Sequence, residues 1–488
     1  MGSRIQRAMR PGRPIPTKRV IVLGGGISGL VAAYELVKRG HPIEVTVLEA
    51  APVLGGKIRS ESIDGQTFET GPDSFLTTKP EMLELVRELG LEGDLTGTGP
   101  DAGFDILLGG SFVPMPAGMN LIAPTRILPF ALTSLFTPAA KLHMALEPLR
   151  PTRHDGVDES LADFTRRRLG AEALERLVGP MLAGIYAGDP ERMSVRSTFP
   201  QLLEMEKKGG LVKSMWLGWL GTKRPARRDG LTTFVTLKGG LSKVVDALQR
   251  RLPPRSVRTD CPVQAVRRRD GHWEVVTPNA VLEADAVISA LPASALADVV
   301  EGLDPELSMR LREIPFSSTA TSVLIYDDKD VPNRPKGFGF LAPKGEGLTV
   351  TAATYSSAKF PGRAVAGRTT VRAFIGGVGR EGDAESAITR LESRVRADID
   401  KVLNLKGAAP LAQKTTRWIK ANPQYEVGHS RRLDRISSCL KSHQGLILAG
   451  ASYCGVGLPD GVRSGRRAAE LVFAGSRRSH DLVRPGLA

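Results

Sequence analysis

Three cysteines in 488 residues, Cys261, Cys439 and Cys454, are too few and too scattered for a disulfide framework or a zinc site. They point to a reducing compartment, and only Cys454 falls inside a motif. The seven histidines show no ligand spacing and no Gly-x-Ser-x-Gly turn occurs, so no metal site is expected and covalent hydrolysis has no candidate nucleophile. No uninterrupted apolar run approaches the roughly 20 residues that span a bilayer. Aromatic residues make up 5% of the chain and are not interleaved with its basic runs, which argues against nucleic acid as a partner. Acidic charge is also in deficit, giving a formal net charge of +15. Arg4, Arg7, Arg10, Arg13, Lys18 and Arg19 supply +6 of it in a tail without acids, leaving +9 elsewhere. With Pro11, Pro14 and Pro16, that tail reads as a disordered, solvated segment. Lys223 to Arg228 reads as an exposed linker. A basic excess suits an anionic substrate or membrane surface.

What is present is decisive near the start. The run Val20 to Leu30 joins an apolar strand, a glycine turn and a helical pattern without a gap. Gly24 permits the tight turn, Gly26 admits close approach of a pyrophosphate, and Gly29 lets the helix pack on the strand. The helix N-terminus then faces the phosphates. Glu49 closes a second apolar strand, Glu44 to Glu49, 20 residues after Gly29, where a carboxylate can accept from both ribose hydroxyls. Strand, triplet, helix and acid together predict dinucleotide binding.

Downstream, Val53 to Arg59 gives a second glycine turn followed by basic residues, and Glu69 to Phe75 a polar loop, where a cofactor longer than its adenosine half would continue. Residues 80 to 220 read mainly as helices, at Pro80 to Leu89, Ile127 to Phe136, Ser160 to Leu169 and Ala171 to Ala183. An amphipathic helix from Gly239 to Leu252 precedes β segments at Val263 to Arg267, His272 to Thr277 and Ala286 to Ala290. Residues 318 to 376 alternate like strands, Ala384 to Leu403 reads as one long helix, Gly445 to Ala451 as a buried strand and Gly461 to Phe473 as a closing helix. The aliphatic, partly helical stretch Ile106 to Leu149, with Phe112, Met115, Met119, Phe130 and Phe136, reads as core packing ahead of peripheral membrane contact.

These residues identify a resemblance. GGGISG at 24–29, LEAAPVLGGK at 48–57, ETGPDSF at 69–75, AGIYAGD at 183–189, STFP at 197–200 and GASYCGVGLPD at 450–460 resemble the oxygen-dependent protoporphyrinogen/coproporphyrinogen oxidases, within the monoamine-oxidase-like flavoproteins. The first two motifs are shared by many flavoproteins; the others together are much narrower. The resemblance implies an α/β fold in which a Rossmann-like FAD domain (17–80, 230–295 and 425–475) is interleaved with a mainly helical segment (81–229) and a mixed-sheet substrate domain (296–424), between tails at 1–16 and 476–488. It implies noncovalent FAD on Gly24, Gly25, Gly26, Ile27, Ser28, Gly29 and Glu49, with Ala50, Lys57, Gly71, Pro72, Asp73 and Ser74 along its path. Val263 would address adenine, Trp418 would stand near the flavin, and Val456, Gly457 and Leu458 would form the last cofactor loop. The closing helix dipole would stabilise negative charge at one flavin edge.

For the substrate, Lys79 is the candidate to hold a propionate or accept a proton, with a surface lysine as the alternative. Ile185 is a candidate wall for the macrocycle, and Phe374 stands where some relatives have tyrosine. The implied reaction is six-electron oxidation of a porphyrinogen, with dioxygen reoxidising the flavin to give hydrogen peroxide in heme biosynthesis. A basic chain leans toward coproporphyrinogen, with its four propionates, over protoporphyrinogen, with two. Cytoplasmic location is expected, with peripheral contact on the inner membrane face and a homodimer left open. The rivals are another flavin oxidase acting on amines or a carotenoid precursor, and a non-catalytic binding protein that keeps the dinucleotide fold.

Overall fold

The computed structural model describes residues 17–99, 103–116, 119–120, 123–124, 127–153, 155–214, 230–332 and 337–474. Residues 1–16 of the basic tail, the patch at 223–228 and the C-terminal tail lie outside the described residues, whereas Lys18 and Arg19, read as part of that disordered tail, are ordered in the first strand, paired with Ile43 and Glu44.

A five-stranded parallel sheet carries the dinucleotide motif, in the order Val257–Arg258, Ile43–Leu48, Lys18–Leu23, Ala286–Ser289 and Leu446–Leu448. Its strands are continuous apolar runs because helices cover both faces. Val22 and Leu23 are fully buried with Val47, Val287 and Leu446. Helix Ile27–Lys38 packs against the closing helix Leu458–Ala474 through two glycines. A Cβ on Gly461 would lie 2.8 Å from Ile27 Cγ2, and one on Gly465 would lie 2.4 Å from Ser28 O. The closing helix begins at Leu458, three residues before the expected Gly461, which places Leu458 in its first turn.

The second sheet has seven strands, in the order Ala412–Pro423, Phe316–Asp327, Arg368–Gly376, Val350–Tyr355, Gly339–Leu341, Phe104–Leu108 and Ser111–Pro114. All pairs are antiparallel except Gly339–Leu341 with Phe104–Leu108. Alternation along its strands separates two environments. Ala320, Leu324, Val371, Ala373 and Ile375 pack on helix Ile388–Leu403. The opposite face presents Thr321, Arg372, Phe374 and Trp418 toward the nucleotide domain and the helical segment.

Four expectations change. The stretch from Ile106 opens as a hairpin, Phe104–Leu108 with Ser111–Pro114, turned by Gly109 and Gly110 at φ +59° and +77°. These strands complete the second sheet. The long helix at 384–403 is two helices, Glu381–Glu385 and Ile388–Leu403, because the backbone is extended at Ser386 and Ala387, with ψ 163° and 136°; Arg417 donates to the freed carbonyls of Glu385 and Ser386 at 3.4 and 3.2 Å. Helices Ala293–Val300 and Pro305–Arg312 pack in the nucleotide-domain core rather than with the second sheet, so the chain crosses over near Pro315. Finally, Phe130 and Phe136 are core residues, but Leu128, Leu132, Leu142 and Leu149 are 69%, 76%, 62% and 80% exposed. Core packing thus accounts for the aromatics of that stretch and not for its leucines. Among the described residues, no helix is long and apolar enough to cross a membrane.

Candidate cofactor and substrate site

Three glycine turns lie side by side. In the first, Gly24 adopts φ +99°, and a Cβ on Gly29 would lie 2.0 Å from Gly24 O, so helix and strand meet as closely as the spacing predicts. A Cβ on Gly25 would strike Leu54 at 2.5 Å. At Gly26, by contrast, a Cβ meets nothing within 4 Å. The protein does not require glycine there, and the open side is the one a pyrophosphate would approach. Ser28 is buried in the first helical turn, whereas Ala50 is exposed beyond the second strand.

The Glu49 carboxylate is already engaged within the protein. One carboxylate oxygen accepts from Gly25 N at 2.7 Å and the other from Ala51 N at 2.8 Å, tying the glycine turn to the end of the second strand. The second turn is bonded to the first, Gly55 N donating to Gly25 O at 2.8 Å, and a Cβ on Gly56 would lie 3.3 Å from Gly26 Cα. The third is pressed on the second. A Cβ on Gly71 would lie 1.7 Å from Lys57 O and 3.6 Å from the Trp418 ring. Trp418 Nε1 and Thr321 Oγ1 donate to Thr70 O at 3.0 and 2.6 Å, fastening this turn to the second sheet.

Lys57 Nζ donates to Ala421 O. The Lys57 side chain is exposed, although protein atoms crowd around its amine. Desolvation lowers its pKa to about 8. Val263 is half-buried just before strand Ala265–Arg269, and its peptide groups make no hydrogen bond among the described residues.

The C-terminal loop closes the other side. Tyr425 OH donates to Ala451 O at 2.5 Å and accepts from Gly455 N at 2.7 Å. Asp460, in the first turn of the closing helix, accepts from Gly457 N at 3.2 Å and holds Lys79 Nζ at 2.8 Å through both oxygens, with Arg463 as a further partner. Val456 is 43% exposed beside it. Lys79 is therefore not an isolated surface lysine. Two of its three N–H groups face a buried carboxylate, leaving one for the open side. The same carboxylate offsets the positive end of the closing helix, so that dipole contributes less local positive charge than the helix alone would.

The AGIYAGD turn meets this loop. Burial, with Asp460 as a second cause, pushes the Tyr186 phenol up to about 12. Ile185 is 58% exposed next to it. Ala187, at φ +50°, accepts from Val378 N and Ser317 Oγ, joining the turn to the second sheet. Phe374 lies on the same sheet face beneath the Arg372 guanidinium, 4.6 Å from ring centroid to Cζ.

Pro72 and Ser74 stay half-buried in the third turn. The Asp73 carboxylate is committed to Ser74 Oγ, Lys359 and Arg372, leaving mainly the backbone of this turn for a cofactor. Lys359, Arg363 and Arg372 were not singled out by sequence reasoning. Their strands were legible, but isolated basic residues in alternating strands carry no signal that they turn inward.

A parallel sheet with this glycine cradle and a second sheet facing it is the two-domain α/β arrangement found among flavin-dependent oxidoreductases. Residues 27–473 match the family model for flavin containing amine oxidoreductases. The coproporphyrinogen III oxidase of Bacillus subtilis (strain 168) is 35% identical over 462 residues, covering 92% of this chain and 97% of that protein. The protoporphyrinogen oxidase of Homo sapiens is 32% identical, covering 93% and 98%. A solved structure from Exiguobacterium sp. 255-15, described as a candidate protoporphyrinogen oxidase, superposes with TM-score 0.83 at 31% identity, covering 93% and 98%. Reduced UDP-galactopyranose mutase, at TM-score 0.70 and 16% identity over 97% of each chain, shares the fold alone. The chain belongs to the flavin containing amine oxidoreductase family, in its protoporphyrinogen/coproporphyrinogen oxidase branch.

Proposed function

We propose that this protein oxidises coproporphyrinogen III to coproporphyrin III, using noncovalent FAD and dioxygen and releasing hydrogen peroxide, as a step of heme biosynthesis. The observation that carries this reading is near end-to-end similarity to the Bacillus protein, combined with three glycine turns assembled into one cradle. FAD, when bound, supplies the two-electron acceptor chemistry. Removing six electrons and six protons from the macrocycle in three steps consumes three dioxygen and yields three hydrogen peroxide.

The chain's own part is binding and exclusion of water. Gly24 to Gly29 and Glu49 hold the ADP half, Val263 offers backbone groups to adenine, and Lys57, Gly71 to Ser74, Trp418 and Val456 to Leu458 enclose the remainder. Ile185 and Phe374 supply apolar walls for the macrocycle. Lys79 presents its remaining N–H to a propionate while Asp460 keeps it in place. Burial pushes the Cys454 thiol up, which suppresses the thiolate that a covalent flavin link would need and supports noncovalent binding.

Porphyrin fluorescence from each porphyrinogen, with and without added FAD, tests the reading, together with oxygen and peroxide stoichiometry. Faster turnover of coproporphyrinogen is expected. Preference for protoporphyrinogen would move the assignment to protoporphyrinogen oxidation, and no porphyrin from either would end it. The reading puts the protein in the cytoplasm, and the exposed leucines at 128, 132, 142 and 149 support a face for peripheral membrane contact. Flotation with anionic vesicles should be lost when these become serine. Unchanged flotation would reject that face, and loss of a dimer on gel filtration instead would assign it to self-association.

A further inference from the structure

Behind the third glycine turn lies a buried group of charges. The Asp73 carboxylate accepts from Lys359 Nζ at 2.9 and 3.1 Å and from Ser74 Oγ at 2.6 Å, and faces Arg372 Nη1 at 3.6 Å. Arg372 also donates to Gly71 O. Beside them Glu69 pairs with Arg363 at 2.8 Å and accepts from Leu241 N at 2.8 Å. None of these five side chains is more than 14% exposed. Three cations, Lys359, Arg363 and Arg372, thus share two carboxylates, leaving one positive charge uncancelled.

Unmatched buried charge is costly, and such groups are ordinarily paired. Part of the compensation here is aromatic: Lys359 Nζ lies 4.9, 5.7 and 5.9 Å from the rings of Phe360, Phe234 and Phe338. The rest is missing. Arg372 Nε is buried without an acceptor among the described residues, and burial lowers the pKa of both Arg372 and Lys359. The direction in which the charge acts follows from the cradle. A ligand that begins at Gly26 and runs past Gly56 must pass Gly71, the residue whose carbonyl Arg372 holds.

We propose that Arg372 is a positioning residue that fixes the Gly71–Ser74 turn and, with Lys359 and Arg363, holds one net positive charge against the far half of the cofactor, favouring its negatively charged forms. This rests on the flavin reading above. Arg372 acts through Gly71 and Phe374; it need not touch the substrate.

Sulfite, which adds to oxidised flavin to give an anionic adduct, is the probe, titrated by visible absorbance against FAD-loaded wild type, Arg372→Met, Arg372→Lys and Asp73→Asn. Reduction potentials are measured on the same samples. Arg372→Met removes a buried positive charge and should weaken sulfite binding by about tenfold and lower the potential. Arg372→Lys keeps the charge and should stay within about threefold of wild type. Asp73→Asn removes a negative charge and should change both quantities in the opposite sense. Mere structural damage would move all three variants the same way, so that result overturns the inference, as does a Met variant indistinguishable from wild type. If the Met variant does not accumulate, the Lys and Asn variants decide by the same signs. Wild type that takes up no FAD would refute the flavin reading itself and this inference with it.

Discussion

Gly26→Ala separates what the fold requires from what a ligand requires. Gly26 has φ −74° and ψ 178°, a conformation open to any residue, and an alanine Cβ there meets no protein atom within 4 Å. Alanine caps a helix less well than glycine, by about 0.5–1 kcal/mol, while the stiffer unfolded chain returns about 0.4–1 kcal/mol, so the net change in stability should be under about 1 kcal/mol. The empty side, however, is where the backbone would meet a pyrophosphate. Displacing a charged oxygen from one backbone N–H group forfeits about 1.5–3 kcal/mol, which corresponds to FAD binding weakened by roughly tenfold to a hundredfold or somewhat more. Urea unfolding of the apoprotein gives the first quantity and quenching of FAD fluorescence the second. A dissociation constant within about twofold of wild type would show that the phosphates do not pass Gly26. A stability loss above about 2 kcal/mol would show that the space beside it is not free.

Gly71→Ala should do the reverse at a neighbouring turn. Its Cβ would sit 1.7 Å from Lys57 O against a practical minimum of 3.0 Å, so the two turns must separate by at least 1.3 Å (3.0 − 1.7). A cost of about 1–3 kcal/mol in urea unfolding is expected even without FAD, and a loss under about 0.5 kcal/mol would refute the contact. His429 gives a pH prediction. Its ring is 1% exposed, has no hydrogen-bond partner at either nitrogen among the described residues and stacks on Tyr425 at 4.1 Å; desolvation, then Arg432, lowers its pKa from 6.5 to about 3. The unfolded chain takes up a proton below pH 6.5 and the native one does not, so stability falls as pH drops from 6.5 toward 3 and levels off below. At pH 5 this amounts to about 2 kcal/mol. His429→Phe keeps the stack and should remove that part of the loss between pH 7 and 5; parallel losses in urea midpoints would reject the assignment.

The nucleotide half was legible because its constraints are local. Gly24, Gly29 and Glu49 lie within one strand–turn–helix–strand unit, and each acts on neighbours fixed by that unit. The bond from Gly25 N to Glu49 belongs to the same unit and was hidden only because spacing shows where a carboxylate stands, not which donors it already serves. The hairpin at Gly109–Gly110 was overlooked for a different reason: aliphatic residues around it suit helix, strand and membrane surface alike, and the glycine pair was the sole strand signal. Asp73 marks a firmer boundary. Its motif was visible, but its partners Lys359 and Arg372 are 286 and 299 residues away, brought in by strands whose periodicity reports which face is buried and not which charges meet there. An inward-facing arginine in such a strand is chemically silent in sequence until its carboxylate is known. The same holds for Lys79, whose meaning changes once Asp460, 381 residues later, is found on its ammonium. Long-range charge pairing, rather than backbone topology, is therefore where a linear reading of this chain ends. The residues it missed are those on which the charge of the cofactor site depends, so the opposed effects of Arg372→Met and Asp73→Asn on sulfite affinity test the part of the site that only the fold reveals.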